Sequence, residues 1–99
     1  MEIKQEDGRF YIEDKELVGE ITYSPVKDGI ISIDHTFVNE NYRGQGIAGK
    51  LLNEVLSYAD RENLKIVPVC SYAKFSFKNK PEIRYLLTEN YRKLLEEEK

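Results

Sequence analysis

The sequence predicts a mixed α/β fold in which an antiparallel meander runs into a single βαβ unit and closes with helices. Three observations carry this. Short alternating segments separated by turn residues occupy the chain as far as Val38. The hydrophobic period then changes to that of a helix over Gly46 to about Glu62. A brief β-branched run, Lys65 to Val69, follows and stands where the second parallel strand of a βαβ unit belongs.

Taken in order, Glu2–Gln5 and Arg9–Glu13 read as two strands joined by a turn at Asp7-Gly8, and Asp14-Lys15 is a second turn. Leu17–Tyr23 alternates Leu17, Gly19, Ile21 and Tyr23 against Val18, Glu20 and Thr22, and so is a third strand. Ser24 to Gly29, with Pro25 and Asp28-Gly29, reads as a loop. Ile30–Val38 is the next strand, with Ile31, Ile33, His35 and Phe37 expected on one face.

Ile47, Leu51, Leu52, Val55, Leu56 and Ala59 then share one side of a helix that Asn63 ends. In the strand after it, Pro68 has no N–H, so pairing on that side is interrupted. Ser71 is expected to cap a short helix through about Lys78, and Pro81 to open another turn at its first position. Leu87, Tyr91, Leu94 and Leu95 line one face of a C-terminal helix, whose acidic end, Glu96-Glu97-Glu98-Lys99, is expected to fray in solvent.

Composition narrows the function classes. At 99 residues, with no internal repeat or linker, the chain is expected to form one domain, residues 1–99. Its 40% apolar and 33% charged residues suit a globular core with a charged surface. No apolar run approaches the ~20 residues that span a bilayer, and the start, Met1-Glu2-Ile3-Lys4-Gln5-Glu6-Asp7, has no signal-peptide pattern. No membrane partner is expected. The single cysteine, Cys70, has no partner for an internal disulfide, which points to a reducing, cytoplasmic setting. A net charge of −3 argues against nucleic acid, and no metal is called for. A monomer or weak homodimer is expected, since an edge strand of so small a sheet can pair with a second copy.

The most informative stretch is Asn41-Tyr42-Arg43-Gly44-Gln45-Gly46-Ile47-Ala48-Gly49-Lys50-Leu51-Leu52. It follows a strand and opens a helix. Gly44, Gly46 and Ala48 let a ligand approach the backbone, the first helical N–H groups face outward, and Arg43 and Lys50 add positive charge. The pattern suits a phosphate or pyrophosphate. A P-loop is excluded because Leu51 stands where Ser or Thr is required. A dinucleotide fingerprint, formally present as Gly44-Gln45-Gly46-Ile47-Ala48-Gly49, lacks its acidic residue near Lys65–Ile66. In an open α/β sheet the ligand sits at the carboxyl ends of the parallel strands, and His35, Phe37, Cys70 and Tyr72 all fall near those ends.

Arg43-Gly44-Gln45-Gly46-Ile47-Ala48 resembles the Arg/Gln-x-x-Gly-x-Gly/Ala loop of the Gcn5-related N-acetyltransferases. His35-Thr36-x-Val38, Ile66-x-Pro68-x-Cys70-Ser71-Tyr72 and Asn79-Lys80-Pro81-Glu82 extend the likeness over nearly the whole chain, toward the small, minimal (YjdJ-type) branch of that superfamily. The resemblance implies acetyl-coenzyme A as co-substrate. Its pyrophosphate would be held by Arg43, by the main chain of Gly44 to Gly49 (including Gln45 and Ile47), and by Lys50 unless that is a plain surface lysine. Its pantetheine arm would lie against the main chain of Phe37 and Val38. Larger members carry helices between the first two strands that cover the acceptor; this chain has only a short turn there. Lys80-Pro81 stands where many small relatives have His-Pro.

Three side chains are candidates for the chemistry. His35, the only histidine, is suited to take a proton from an amine acceptor near neutral pH; the alternative is a structural histidine on an apolar strand face. Cys70 carries an acetyl-cysteine intermediate, walls the thioester pocket, or is a small buried hydrophobe. Tyr72 is placed to give a proton to the departing coenzyme A thiolate, as tyrosines do in many relatives. Tyr42 packs, or touches the adenine side. The leading expectation is an N-acetyltransferase acting on an unidentified amine by direct attack. The alternatives are a coenzyme A or acyl-coenzyme A binding module with little transferase activity, and a protein-interaction domain that keeps only the fold.

Overall fold

The computed structural model describes residues 1–97. The chain forms β1 (Lys4–Glu6), β2 (Arg9–Asp14), β3 (Glu16–Lys27), β4 (Ile30–Val38), α1 (Ile47–Arg61), β5 (Lys65–Pro68), α2 (Ser71–Asn79) and α3 (Glu89–Glu97), with short 3-10 turns at Glu40–Tyr42 and Pro81–Leu86. The five strands lie side by side in chain order. The first three pairings are antiparallel and β4–β5 is parallel, as a helical crossover through α1 requires. The predicted mixed α/β fold is therefore the one observed. The acidic end is described only through Glu97, so the expectation for Glu98 and Lys99 lies outside the described residues.

The helix-period residues form the inner side of α1: Ile47, Leu51, Leu52, Val55, Leu56 and Ala59 are all buried. They join Phe10, Val18, Ile21, Tyr23, Ile31, Ile33 and Ile66 in one core cluster, each large side chain contributing on the order of 1.5–3 kcal/mol of transfer free energy. Asn63 ends α1 in the left-handed region (φ 57°), with the Leu64 N–H on Ala59 O and the Asn63 N–H on Asp60 O.

Several boundaries differ from expectation for physical reasons. Ser24 to Lys27 is strand rather than loop, and only Asp28-Gly29 turns the chain. Pro25 is tolerated because of where its nitrogen points. The Tyr23 N–H donates to Gly8 O on the β2 side; two residues on, the same side is empty, since β2 begins at Arg9, which pairs with Thr22. The first strand is Lys4–Glu6 rather than Glu2–Gln5, and β5 stops at Pro68. Cys70, not Ser71, caps α2, its Sγ accepting from the Ala73 N–H at 3.4 Å. Leu87 lies outside the last helix: it is buried and bridges Ile66, which also accepts from the Thr88 N–H. Leu94 is 59% exposed and does not join the core.

The largest correction concerns β4. Tyr23 pairs with Ile33 and Thr22 with His35, so Asp34 is an extra residue with no partner on β3. This bulge reverses the alternation beyond it. Ile31 and Ile33 are buried, but His35 and Phe37 are exposed, on the opposite face of the sheet. Asp34 is held there by the hydroxyls of the cross-strand pair Ser24 and Ser32, the latter at 2.6 Å.

Candidate functional site

The bulge sits where β4 and β5 part. Their pairing ends at Ile33 and Pro68, and the N–H groups of Val69 and Cys70 both turn onto Ile33 O, at 2.9 and 3.0 Å. Pro68 has no N–H to continue the ladder. β4 runs on to Val38 without a neighbour on that side. The Asn39 N–H donates to Val18 O, so positions 39 and 37 face β3 and the alternate positions 36 and 38 face away from it. The outward main-chain groups are thus those of Thr36 and Val38, while Phe37 pairs toward Glu20.

A 3-10 turn at Glu40–Tyr42 leads from this free edge into the glycine loop. Gly44 (φ 83°) and Gly46 (φ 73°) both occupy the left-handed region, which is costly for residues with a Cβ. Gly46 is the N-cap of α1 and offers no side chain to the helix end. The first intrahelical bond of the loop is Lys50 N–H to Gly46 O at 3.1 Å, so the N–H groups of Ile47, Ala48 and Gly49 have no partner within the helix. No acidic residue stands in the first turn of α1. Gly44, Gln45, Gly46, Arg43 and Lys50 are exposed, and among the described residues neither cation is in an ion pair. Three free donors, the positive end of a helix dipole and two unpaired cations have the chemistry to suit an anion.

The other candidate side chains divide between the two faces of the sheet. Cys70 Sγ lies 3.5 Å from Thr36 Oγ1, bridging the gap between the parted strands. A Cβ on Gly49 would stand 3.8 Å from the Tyr72 hydroxyl, so Tyr72 reaches from α2 to the first turn of α1. Cys70, Tyr72, Thr36 and the glycine loop therefore converge. His35 does not join them; it is exposed on the far face, beside Phe37. Tyr42 packs against the core. Among the described residues no cluster of His, Cys, Asp and Glu could hold a metal ion, and no helix is long and apolar enough to cross a membrane.

Three residues of this region went unmarked as site residues in the sequence. Thr36 emerges only once the bulge fixes the register. Gly19 carried a signal, a glycine within a strand: a Cβ there would lie 2.7 Å from Ile47 Cγ2. Asn39 carried a weaker one, an Asn between a strand and a turn.

Residues 9–86 match the family model of the GCN5-related N-acetyltransferases. Protein NATD1 of Gallus gallus and of Mus musculus is 35% identical over 66 residues, 67% of this chain; the match spans 60% of the length of these curated relatives. A GCN5-like protein of Staphylococcus aureus, solved by NMR, is 40% identical with a TM-score of 0.76, over 88% of this chain and 87% of that one. The GNAT-family N-acetyltransferase YhbS of Escherichia coli, crystallised in complex with CoA, shares the fold, with a TM-score of 0.59 at 24% identity over 69% of this chain and 42% of that one.

Proposed function

The chain belongs to the GCN5-related N-acetyltransferase family, and from that premise we propose that it transfers an acetyl group from acetyl-coenzyme A to an amine. The observation that carries this reading is the adjoining of an uncapped, glycine-framed helix N-terminus to the free edge of β4. Pyrophosphate binds the N–H groups of Gln45 to Gly49, with Arg43 and Lys50 on its oxygens. The pantetheine arm lies along β4 and bonds the outward main chain of Thr36 and Val38. A strand N–H polarises the thioester carbonyl.

The two faces then have separate work. The amine arrives from the open face, where His35 takes its proton. Its nitrogen attacks the carbonyl carbon, the C–S bond breaks, and the departing thiolate takes a proton from Tyr72 on the α1 side. Net transfer from the neutral amine yields an amide and free coenzyme A, and the proton held by His35 returns through solvent to Tyr72. Attack from the His35 face needs no covalent enzyme intermediate, so Cys70 serves as cap and pocket wall. An acetyl-Cys70 intermediate is the alternative route, supported by the thiol's place in the gap. The reading extends to one catalytic domain over residues 1–99, working as a monomer or a weak homodimer through the β1 edge. The free Cys70 supports a reducing, cytoplasmic setting, and no nucleic acid or membrane takes part.

The test is calorimetric titration with acetyl-coenzyme A, using Arg43→Ala/Gly46→Glu as control, followed by an amine panel. Saturable binding lost in the control, and acetyl transfer to at least one amine, are expected. Absence of binding by folded wild type would remove the reading. Binding without transfer to any amine would leave the second reading, a coenzyme A binding module, which the short Asp7-Gly8 turn between the first two strands, in place of an acceptor lid, favours.

A further inference from the structure

We infer that Asn39 is the positioning residue of the phosphate loop, and that the bulge at Val18 in β3 is the platform it grips. The inference rests on the coenzyme A reading above and adds a residue to it. In a regular strand the carbonyls of successive residues point to opposite sides. Here Ile12 pairs with Gly19 and Glu13 with Leu17, leaving Val18 without a partner on β2. Both successive carbonyls reach the same neighbour: Val18 O accepts from the Asn39 N–H at 2.8 Å, and Leu17 O from Asn39 Nδ2 at 3.0 Å. Nδ2 also donates to Glu16 Oε1 at 3.1 Å.

The remaining polar atoms of Asn39 face the loop. Oδ1 accepts from the Asn41 N–H at 3.0 Å, and its carbonyl accepts from the Tyr42 N–H at 2.9 Å. One residue thus ties the β2–β3 hairpin, the end of β4 and the turn that delivers Arg43 and Gly44. The far side of the loop rests on the same segment, since Ile47 packs over Gly19, one residue beyond the bulge. The hairpin end of β3 therefore sets both the entrance and the exit of the loop. A serine at position 39 supplies the capping oxygen but has no amide to reach Leu17 O, and alanine supplies neither.

The experiment is calorimetric titration of wild type, Asn39→Ala and Asn39→Ser with acetyl-coenzyme A at two salt concentrations, at a temperature where circular dichroism shows all three folded. A role confined to folding leaves the affinity of the folded variants unchanged; a loop out of place loses phosphate contacts, and with them part of the salt dependence. About tenfold weaker binding with a shallower salt dependence is expected for Asn39→Ala, with partial recovery in Asn39→Ser. Affinity within twofold of wild type, or weakening with the full salt dependence kept, overturns the inference. If wild type itself binds no acetyl-coenzyme A, the reading beneath it falls first and the inference with it.

Discussion

The side chain of Ile47 occupies the space that a Cβ on Gly19 would need: the two carbons would stand 2.7 Å apart. Leu51 Cδ1 and Phe37 O would each lie at 3.1 Å. This close approach seats the first turn of α1 on β3 and so places the glycine loop beside the free edge of β4. Ile47 is β-branched and has little rotamer freedom in a helix, so it cannot swing aside. Gly19→Ala is expected to cost about 1–3 kcal/mol, the range for overpacking, and to weaken acetyl-coenzyme A binding as α1 shifts. Urea denaturation and calorimetry on the same variant check both. A stable variant with unaltered binding would show that the helix end adjusts without consequence.

Left-handed glycines away from close packing permit a cleaner separation. Gly46 and Gly29 have nearly the same φ, 73° and 78°, and a Cβ on either meets nothing within 4 Å. Alanine at either site should cost about 1–2 kcal/mol in backbone conformation alone. Only Gly46→Ala should also weaken acetyl-coenzyme A, because only there does the new methyl stand where a phosphate approaches. Equal affinities for the two variants would argue against phosphate contact at Gly46.

What the sequence disclosed follows from which interactions are local. The bounds of β4 and the six inward residues of α1 were legible, because side-chain period is set by the element itself. The glycine loop was legible for the same reason, as a run between a strand and a helix. The face on which His35 lies was not, since the Asp34 bulge exists only in the pairing of β4 with β3. Pro25 read as loop because the empty side its nitrogen faces depends on where β2 begins. Leu87 fitted the helical spacing of Tyr91 and Leu95, yet it pairs with Ile66, a contact across the fold. Asn39 and Gly19 likewise have their roles from partners distant in the chain.

Tyr58 gives the fold an alkaline limit. It packs in an aromatic trio with Phe10 and Tyr23, at ring separations of 5.8 and 5.4 Å. Burial, then the neighbouring Tyr23 and Glu62, push its phenol above the usual tyrosine value. With the folded-state value the higher, the native state holds more protons than the unfolded state above about pH 10, and stability falls as pH rises through that range. Below it the phenol is protonated in both states and contributes no slope. Tyr58→Phe should reduce the loss between pH 9 and about pH 11, while keeping the ring's packing against Phe10 and Tyr23. Urea midpoints across pH test this; an unchanged alkaline slope in the variant would assign the limit to other groups.

Cys70 has two separable functions to test, because its sulfur caps α2 and also faces Thr36 across the parted strands. Removing the cap with Cys70→Ala should cost about 0.5–2 kcal/mol. Loss of activity in that variant alone therefore says little about nucleophilic chemistry. Serine is a stronger N-cap than alanine, so Cys70→Ser should match or exceed wild-type stability while removing the thiol. Under direct attack by the amine, Cys70→Ser keeps turnover within about threefold of wild type and forms no labelled enzyme with radiolabelled acetyl-coenzyme A; that retention is the expected result. Under an acetyl-cysteine route the wild type accumulates label when the acceptor is withheld, and the folded, capped serine variant neither labels nor turns over. Capping is the same in both cases, so the comparison of serine with wild type isolates the thiol.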